Sequence, residues 1–183
     1  MKPIRTIGIL GAGAMGAYFA ESFAKVPSFS TFLIADGARA DRLEKDGVVI
    51  NGKKQFFKIL RPDQAETKLD LILVALKHPQ LKEALAGLGP LVGENTLFLS
   101  VMNGLESEEI IASVYGSEKV LYAISVGIDA VREGNQITYT KPGRHIFGEA
   151  NNSTLSEKVL RVQEAFSTAG IQFETPVDML RML

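Results

Sequence analysis

Ile4-Arg5-Thr6-Ile7-Gly8-Ile9-Leu10-Gly11-Ala12-Gly13-Ala14-Met15-Gly16 is the stretch whose reading decides the fold. An apolar, strand-like run leads into G-x-G-x-x-G at Gly11, Gly13 and Gly16, and helical spacing begins directly behind it. Each glycine has its own task in such a turn. Gly11 allows the tight reversal from strand to helix, Gly13 leaves room for a diphosphate against the backbone, and Gly16 lets the helix lie close to the strand. The segment from Gly11 through Ala12, Ala14 and Met15 to Gly16 then presents unpaired N–H groups and a positive dipole end to the phosphates. Chance also produces this spacing in a chain with 17 glycines; the strand before and the helix after give it weight. A secretion signal is a poor reading, because glycines interrupt the run and Glu21 follows.

Outward from this turn, Met15, Phe19, Phe23 and Val26 recur at helical spacing, predicting a helix from Ala14 to about Lys25 that Pro27 closes. Thr31–Ala35 reads as a buried strand, parallel to the first through a right-handed crossover. Asp36 follows, twenty positions past Gly16. A carboxylate there accepts hydrogen bonds from the adenosine ribose hydroxyls and repels a 2′-phosphate. It is equally placed to cap the helix expected from Gly37 onward, and both roles stand open. Val48–Ile50 and Gln55–Ile59 form a hairpin around Asn51-Gly52. Asp70–Leu76 is a buried parallel strand ending in Lys77-His78-Pro79-Gln80, and Thr96–Val101 is another ending in Met102-Asn103-Gly104; a helix follows each. Lys119–Val131, Gln136–Lys141 and Arg144–Phe147 read as antiparallel additions. The fold class expected is α/β, a Rossmann-type, mostly parallel sheet flanked by helices.

Thr154-Leu155-Ser156-Glu157 has the form of a capping box, with Leu155, Val159, Val162, Phe166 and Ala169 as one apolar stripe and Gly170 as its stop. Ile171–Glu174 is a last short strand. Thr175-Pro176-Val177-Asp178 has the cap, proline and acid of a second helix start, yet only about two turns remain before Leu183. The expectation is a dinucleotide-binding domain over 1–174 and, at 175–183, the start of a helical domain that the sequence cuts short.

Bulk properties narrow the function. A 46 % hydrophobic composition supports a sizeable core, and no run reaches the roughly 18 apolar residues of a membrane span. The net charge of −1 gives no electrostatic case for nucleic acid or an anionic membrane. Cysteine is absent, and His78 and His145 belong to no ligand pattern, so no metal site is expected. The cytoplasm is the default compartment. No serine–histidine–acid set stands out, so hydrolysis has no visible machinery.

In open α/β sheets ligands lie beyond the carboxyl ends of the strands. Lys77 and Asn103 are expected at two such ends. A lysine can bond a cofactor ribose, and an asparagine amide can bridge cofactor and a substrate carbonyl because it donates and accepts. Either also serves as an ordinary loop residue.

Gly11–Gly16 as GAGAMG, Val74-Ala75-Leu76-Lys77, Met102-Asn103-Gly104-Leu105-Glu106 and Thr140–Gly148 occur in this order, and together they resemble the N-terminal domain of ketopantoate reductases (2-dehydropantoate 2-reductases). The resemblance implies NADPH-dependent reduction of 2-dehydropantoate to pantoate, on the way to pantothenate and coenzyme A. It also implies a small 2-keto acid as substrate and an all-helical second domain. By motif, Gly11–Gly16 would hold the diphosphate, Lys77 the nicotinamide side, and Asn103 both cofactor and substrate, while the backbone near Ala130 would close over the nicotinamide. The family usually has arginine where this chain has Asp36, so kinship implies NADP(H) and local chemistry NAD(H), with Arg39 or Arg42 as substitutes toward a phosphate; kinship tips the expectation to NADP(H). The family's general-acid lysine would lie past Leu183, so no catalytic residue is assigned here and the fragment is expected to bind nucleotide with hardly any turnover. An uncovered apolar face would favour a homodimer. Two alternatives stand beside this reading: another two-domain NAD(P)-dependent 2-ketoacid reductase, and a non-catalytic NAD(P)(H)-sensing module.

Overall fold

A computed structural model describes residues 2–102 and 106–183. Strand β1 (Thr6–Leu10) runs into helix α1 (Ala14–Ala24), which returns the chain to β2 (Ser30–Ile34) beside β1 and parallel to it, pairing Thr6 with Ser30 and Leu10 with Ile34. Helix α2 (Gly37–Asp46) follows, then short strands β3 (Val48–Ile50), β4 (Lys53–Gln55) and β5 (Lys58–Leu60). The second half contributes β6 (Leu69–Val74), α3 (Leu81–Ala86), β7 (Val92–Ser100), α4 (Glu106–Tyr115) and β8 (Val120–Ile128). Strands β9 (Val131–Glu133), β10 (Gln136–Thr138) and β11 (Pro142–Gly148), helix α5 (Glu157–Thr168) and β12 (Phe173–Glu174) complete the described chain.

Among the described residues the strands form an eight-stranded sheet in the order β12-β11-β8-β7-β6-β1-β2-β5 and a four-stranded one in the order β4-β3-β10-β9. From β5 to β8 every pairing in the large sheet is parallel; β11 then runs antiparallel to β8. The expected α/β class is what the chain adopts. One detail differs: the segment from Lys119 opens with a strand parallel to β7, pairing Phe98 with Val120 and Leu99 with Leu121. The ten-residue α4 is a crossover, and a crossover returns the chain to its former direction.

The parallel strands are buried on both faces. In β6, Leu71 and Leu73 pack with Phe19, Phe23 and Phe166 on one side, while Ile72 and Val74 pack with Leu81, Leu85 and Ile111 on the other. Asp70 is the polar exception in β6. Burial works against its charge, but the N–H groups of Thr6 and Arg5, the Lys2 ammonium and the Thr6 hydroxyl together hold its pKa below the ordinary carboxylate value.

The Asn51-Gly52 hairpin forms with both turn residues at positive φ, 48° and 77°, the geometry that matches strand twist. It is the start of the small sheet. The run expected as one strand over Gln55–Ile59 breaks at Phe56-Phe57, so that β4 serves the small sheet and β5 the edge of the large one. Helix α5 is capped by Ser156, whose hydroxyl accepts from the Val159 N–H at 3.4 Å, rather than by Thr154. Residues 175–183 do not form the expected helix start. Their backbone pairs across to residues 150–152 instead: Asn152 N–H donates to Val177 O at 2.7 Å, Met179 N–H to Ala150 O at 3.1 Å, and Met179 is buried. No helix among the described residues is long and apolar enough to cross a membrane.

Candidate functional site

The strand order reverses between β1 and β6, and the carboxyl ends of β1, β2 and β6 open on one edge there. The glycine turn lies at this edge. A Cβ on Gly11, which has φ +112°, would collide with the Ala75 carbonyl, and one on Gly16 would collide with the Gly11 carbonyl. The fold itself demands these two glycines. Gly13 is different: it sits at φ −75° in extended backbone, and a Cβ there would come no nearer to its surroundings than 3.9 Å, from the Ala75 oxygen. The space beside Gly13 is left open.

Gly13 is also the N-cap of α1, with no side-chain acceptor on its N–H groups and no acidic residue in the first turn. Two clefts flank the turn. The first, of about 310 Å³, runs beside Ala12 and Gly13 and is lined by Arg39, Arg42, Lys77 and Arg132 with Asp46 as its one carboxylate. The second, of about 530 Å³, lies between the ends of β2 and β6, where Leu10, Ile34 and Leu88 give an apolar wall and Asp36, Asp63 and Glu83 give three carboxylates. Arg39 lines both. Burial, then the neighbouring Arg132 and Arg42, lower its pKa, and Asp36 only partly offsets them. The opening is therefore cationic at the glycine turn and anionic toward β2, the pattern that holds a phosphate in the middle and an uncharged sugar and base at one end.

The structure brings most of the sequence-named residues together here. Gly11, Ala12, Gly13, Asp36 and Lys77 line the clefts; Ala14, Met15 and Gly16 form the first turn of α1. Asp36 stands at the N-cap of α2 in extended backbone, yet its side chain makes no capping bond and is exposed. Ala130 is apart, lining neither cleft. It joins β8 to β9 next to Asp129, whose carboxylate takes the N–H groups of Thr140 and Lys141, each at 2.8 Å, and the Thr140 hydroxyl; those bonds hold its pKa at about 2. Asn103 lies outside the described residues. Arg132, Gln80, Asp63 and Glu83 were missed. Arg132 comes from β9 of the small sheet, 120 positions from Ala12, and no local pattern announces such a contact. Among the described residues no cluster of three or more His, Cys, Asp or Glu could hold a metal ion.

Residues 7–152 match the family model described as ketopantoate reductase PanE/ApbA. The chain belongs to the ketopantoate reductase family. The relatives are distant. The chain is 26 % identical over 174 residues to the uncharacterized oxidoreductase YkpB of Bacillus subtilis (strain 168), spanning 93 % of this chain and 56 % of that protein. It is 26 % identical over 185 residues to the 2-dehydropantoate 2-reductase of Nostoc sp., spanning 96 % and 57 %. Among solved structures, D-mandelate dehydrogenase with NADH and anilino(oxo)acetate superposes with a TM-score of 0.80 at 23 % identity, over 93 % of this chain and 56 % of that one. The chain thus spans a little over half the length of these two relatives and of that structure. One relative is named a 2-dehydropantoate 2-reductase and another an uncharacterized oxidoreductase, and the D-mandelate dehydrogenase structure, alike in fold, holds NADH.

Proposed function

We propose that this chain holds the nicotinamide adenine dinucleotide of a reductase acting on 2-dehydropantoate or a closely related 2-keto acid. The observation that carries the reading is the unfilled space beside Gly13, at a helix start with no acceptor of its own and with four cationic side chains around it. When bound, the nicotinamide supplies the reducing equivalent. The residues described here bind and orient: the turn from Gly11 to Gly16 and the guanidinium groups take the diphosphate, and Lys77 takes the nicotinamide side. On the family pattern Asn103 would serve the reactive end; Ala130 lines neither cleft and is given no role there.

The nucleotide we favour is NAD(H). Three carboxylates surround the position of the adenosine ribose against Arg39 alone, so a 2′-phosphate would be repelled there. This departs from the NADP(H) expected of the family. It agrees with the NADH in the D-mandelate dehydrogenase structure.

Fluorescence titration with NADH and NADPH, on wild type and Asp36→Arg, tests both levels. Wild type binds NADH more tightly, and Asp36→Arg reverses the order. If wild type binds neither nucleotide, the dinucleotide reading fails; if it prefers NADPH, only the choice of NAD(H) fails.

A further inference from the structure

The cations around the glycine turn come from different parts of the fold. Arg39 and Arg42 belong to α2 and Lys77 follows β6, whereas Arg132 is carried in by the small sheet. Its guanidinium is held twice: Nε donates to Gly134 O at 2.7 Å, and Nη1 donates to Ala12 O at 2.9 Å. Two fixed bonds orient the plane of the fork and leave three of its five N–H groups for other acceptors. The side chain lines the same cleft as Gly13 and Lys77, and it adds a like charge to Arg39 and Arg42, where Asp46 is the lone carboxylate. Crowded cations of this kind oppose one another in the folded chain. A ligand bearing two negative charges relieves them.

We propose that Arg132 is the clamp of the glycine turn: it holds the Ala12 carbonyl from across the cleft and gives its remaining N–H groups to the diphosphate beside Gly13. The inference rests on the dinucleotide reading and adds to it a residue, a ligand group and a role for the small sheet. An arginine fork matches a phosphate in a way that lysine does not, so charge alone is insufficient.

The test compares wild type, Arg132→Gln and Arg132→Lys by calorimetric titration with ADP-ribose, which carries the diphosphate, and by NMR titration with adenosine, which carries none. Arg132→Gln weakens ADP-ribose by about tenfold or more while leaving adenosine within about twofold, and Arg132→Lys falls between. Circular dichroism and the melting temperature show whether each variant is folded; should Arg132→Gln unfold, Arg132→Lys alone carries the comparison. Equal weakening of both ligands, or no weakening of either, overturns the clamp. Failure of wild type to bind ADP-ribose overturns the dinucleotide reading together with the clamp.

Discussion

At the scale of single residues, the three glycines of the turn separate into two kinds, and the separation is measurable. Gly16→Ala drives a methyl group into the Gly11 carbonyl, a backbone contact that cannot rotate away, so stability falls by about 2 kcal/mol or more in urea denaturation. Gly13→Val finds open space and extended backbone, so the urea midpoint stays within about 1 kcal/mol while nucleotide affinity drops by an order of magnitude or more. A Gly13→Val chain that binds NADH like wild type contradicts the site. The spacing G-x-G-x-x-G made all three positions legible, because their tasks are local. Asp36 was legible for the same reason, twenty positions past Gly16. Asp63, Glu83 and Arg132 were not: each reaches the opening through tertiary packing, and Arg132 bonds a carbonyl 120 positions away.

At the scale of elements, the small sheet is docked on α1 through one carboxylate. Glu21 accepts the Tyr139 hydroxyl and the Gln55 side-chain amide, the latter at 2.6 Å, and pairs with Lys25 at 3.4 Å. Burial opposes the Glu21 charge, but these partners outweigh it and lower its pKa. The rings of Tyr18 and Tyr139 meet edge to face at 5.3 Å, and Ile50 and Ile137 are buried beneath. Tyr139→Phe keeps the ring and removes the donor. It lowers stability by about 1–2 kcal/mol in urea denaturation and raises the Glu21 pKa by NMR titration; an unchanged Glu21 titration contradicts the docking role. Element type was largely readable: β1, α1, β2 and β6 lie where period and burial put them, within a residue or two. Pairing was less so. The direction of β8 depends on α4 being a crossover, and the helix expected from Thr175 yields to backbone bonds with residues 150–152.

At the scale of the whole molecule, His145 on β11 is expected to cost stability between pH 6.5 and pH 4. Its ring is 2 % exposed, packs against Tyr18, Phe19 and Phe166, and bonds the Ser125 hydroxyl through Nδ1 at 2.8 Å. Burial pushes its pKa down from 6.5 to about 4, so the folded state binds a proton less readily than the unfolded one. Stability from this group is complete above the unfolded pKa and is lost as pH falls from about 6.5 toward about 4, a loss on the order of 3 kcal/mol. Urea midpoints from pH 7 to pH 4 show the decline, and His145→Phe flattens it between pH 6 and pH 4.5; a decline of equal depth in that variant assigns the loss elsewhere.

The small sheet is assembled from two segments, β3 with β4 and β9 with β10, joined where Val49 pairs with Gln136. Four of the six parallel strands, β5 to β8, lie between them in sequence. That pairing closes a long loop at a greater entropy cost than the hairpins on either side, so the amides of β3 and β10 are expected to exchange with solvent faster than those of β1 and β6 in hydrogen-exchange measurements. On that expectation the cleft has two walls of unequal permanence: the glycine turn rests on neighbouring sequence, whereas Arg132 faces it from a sheet whose register depends on a distant partner.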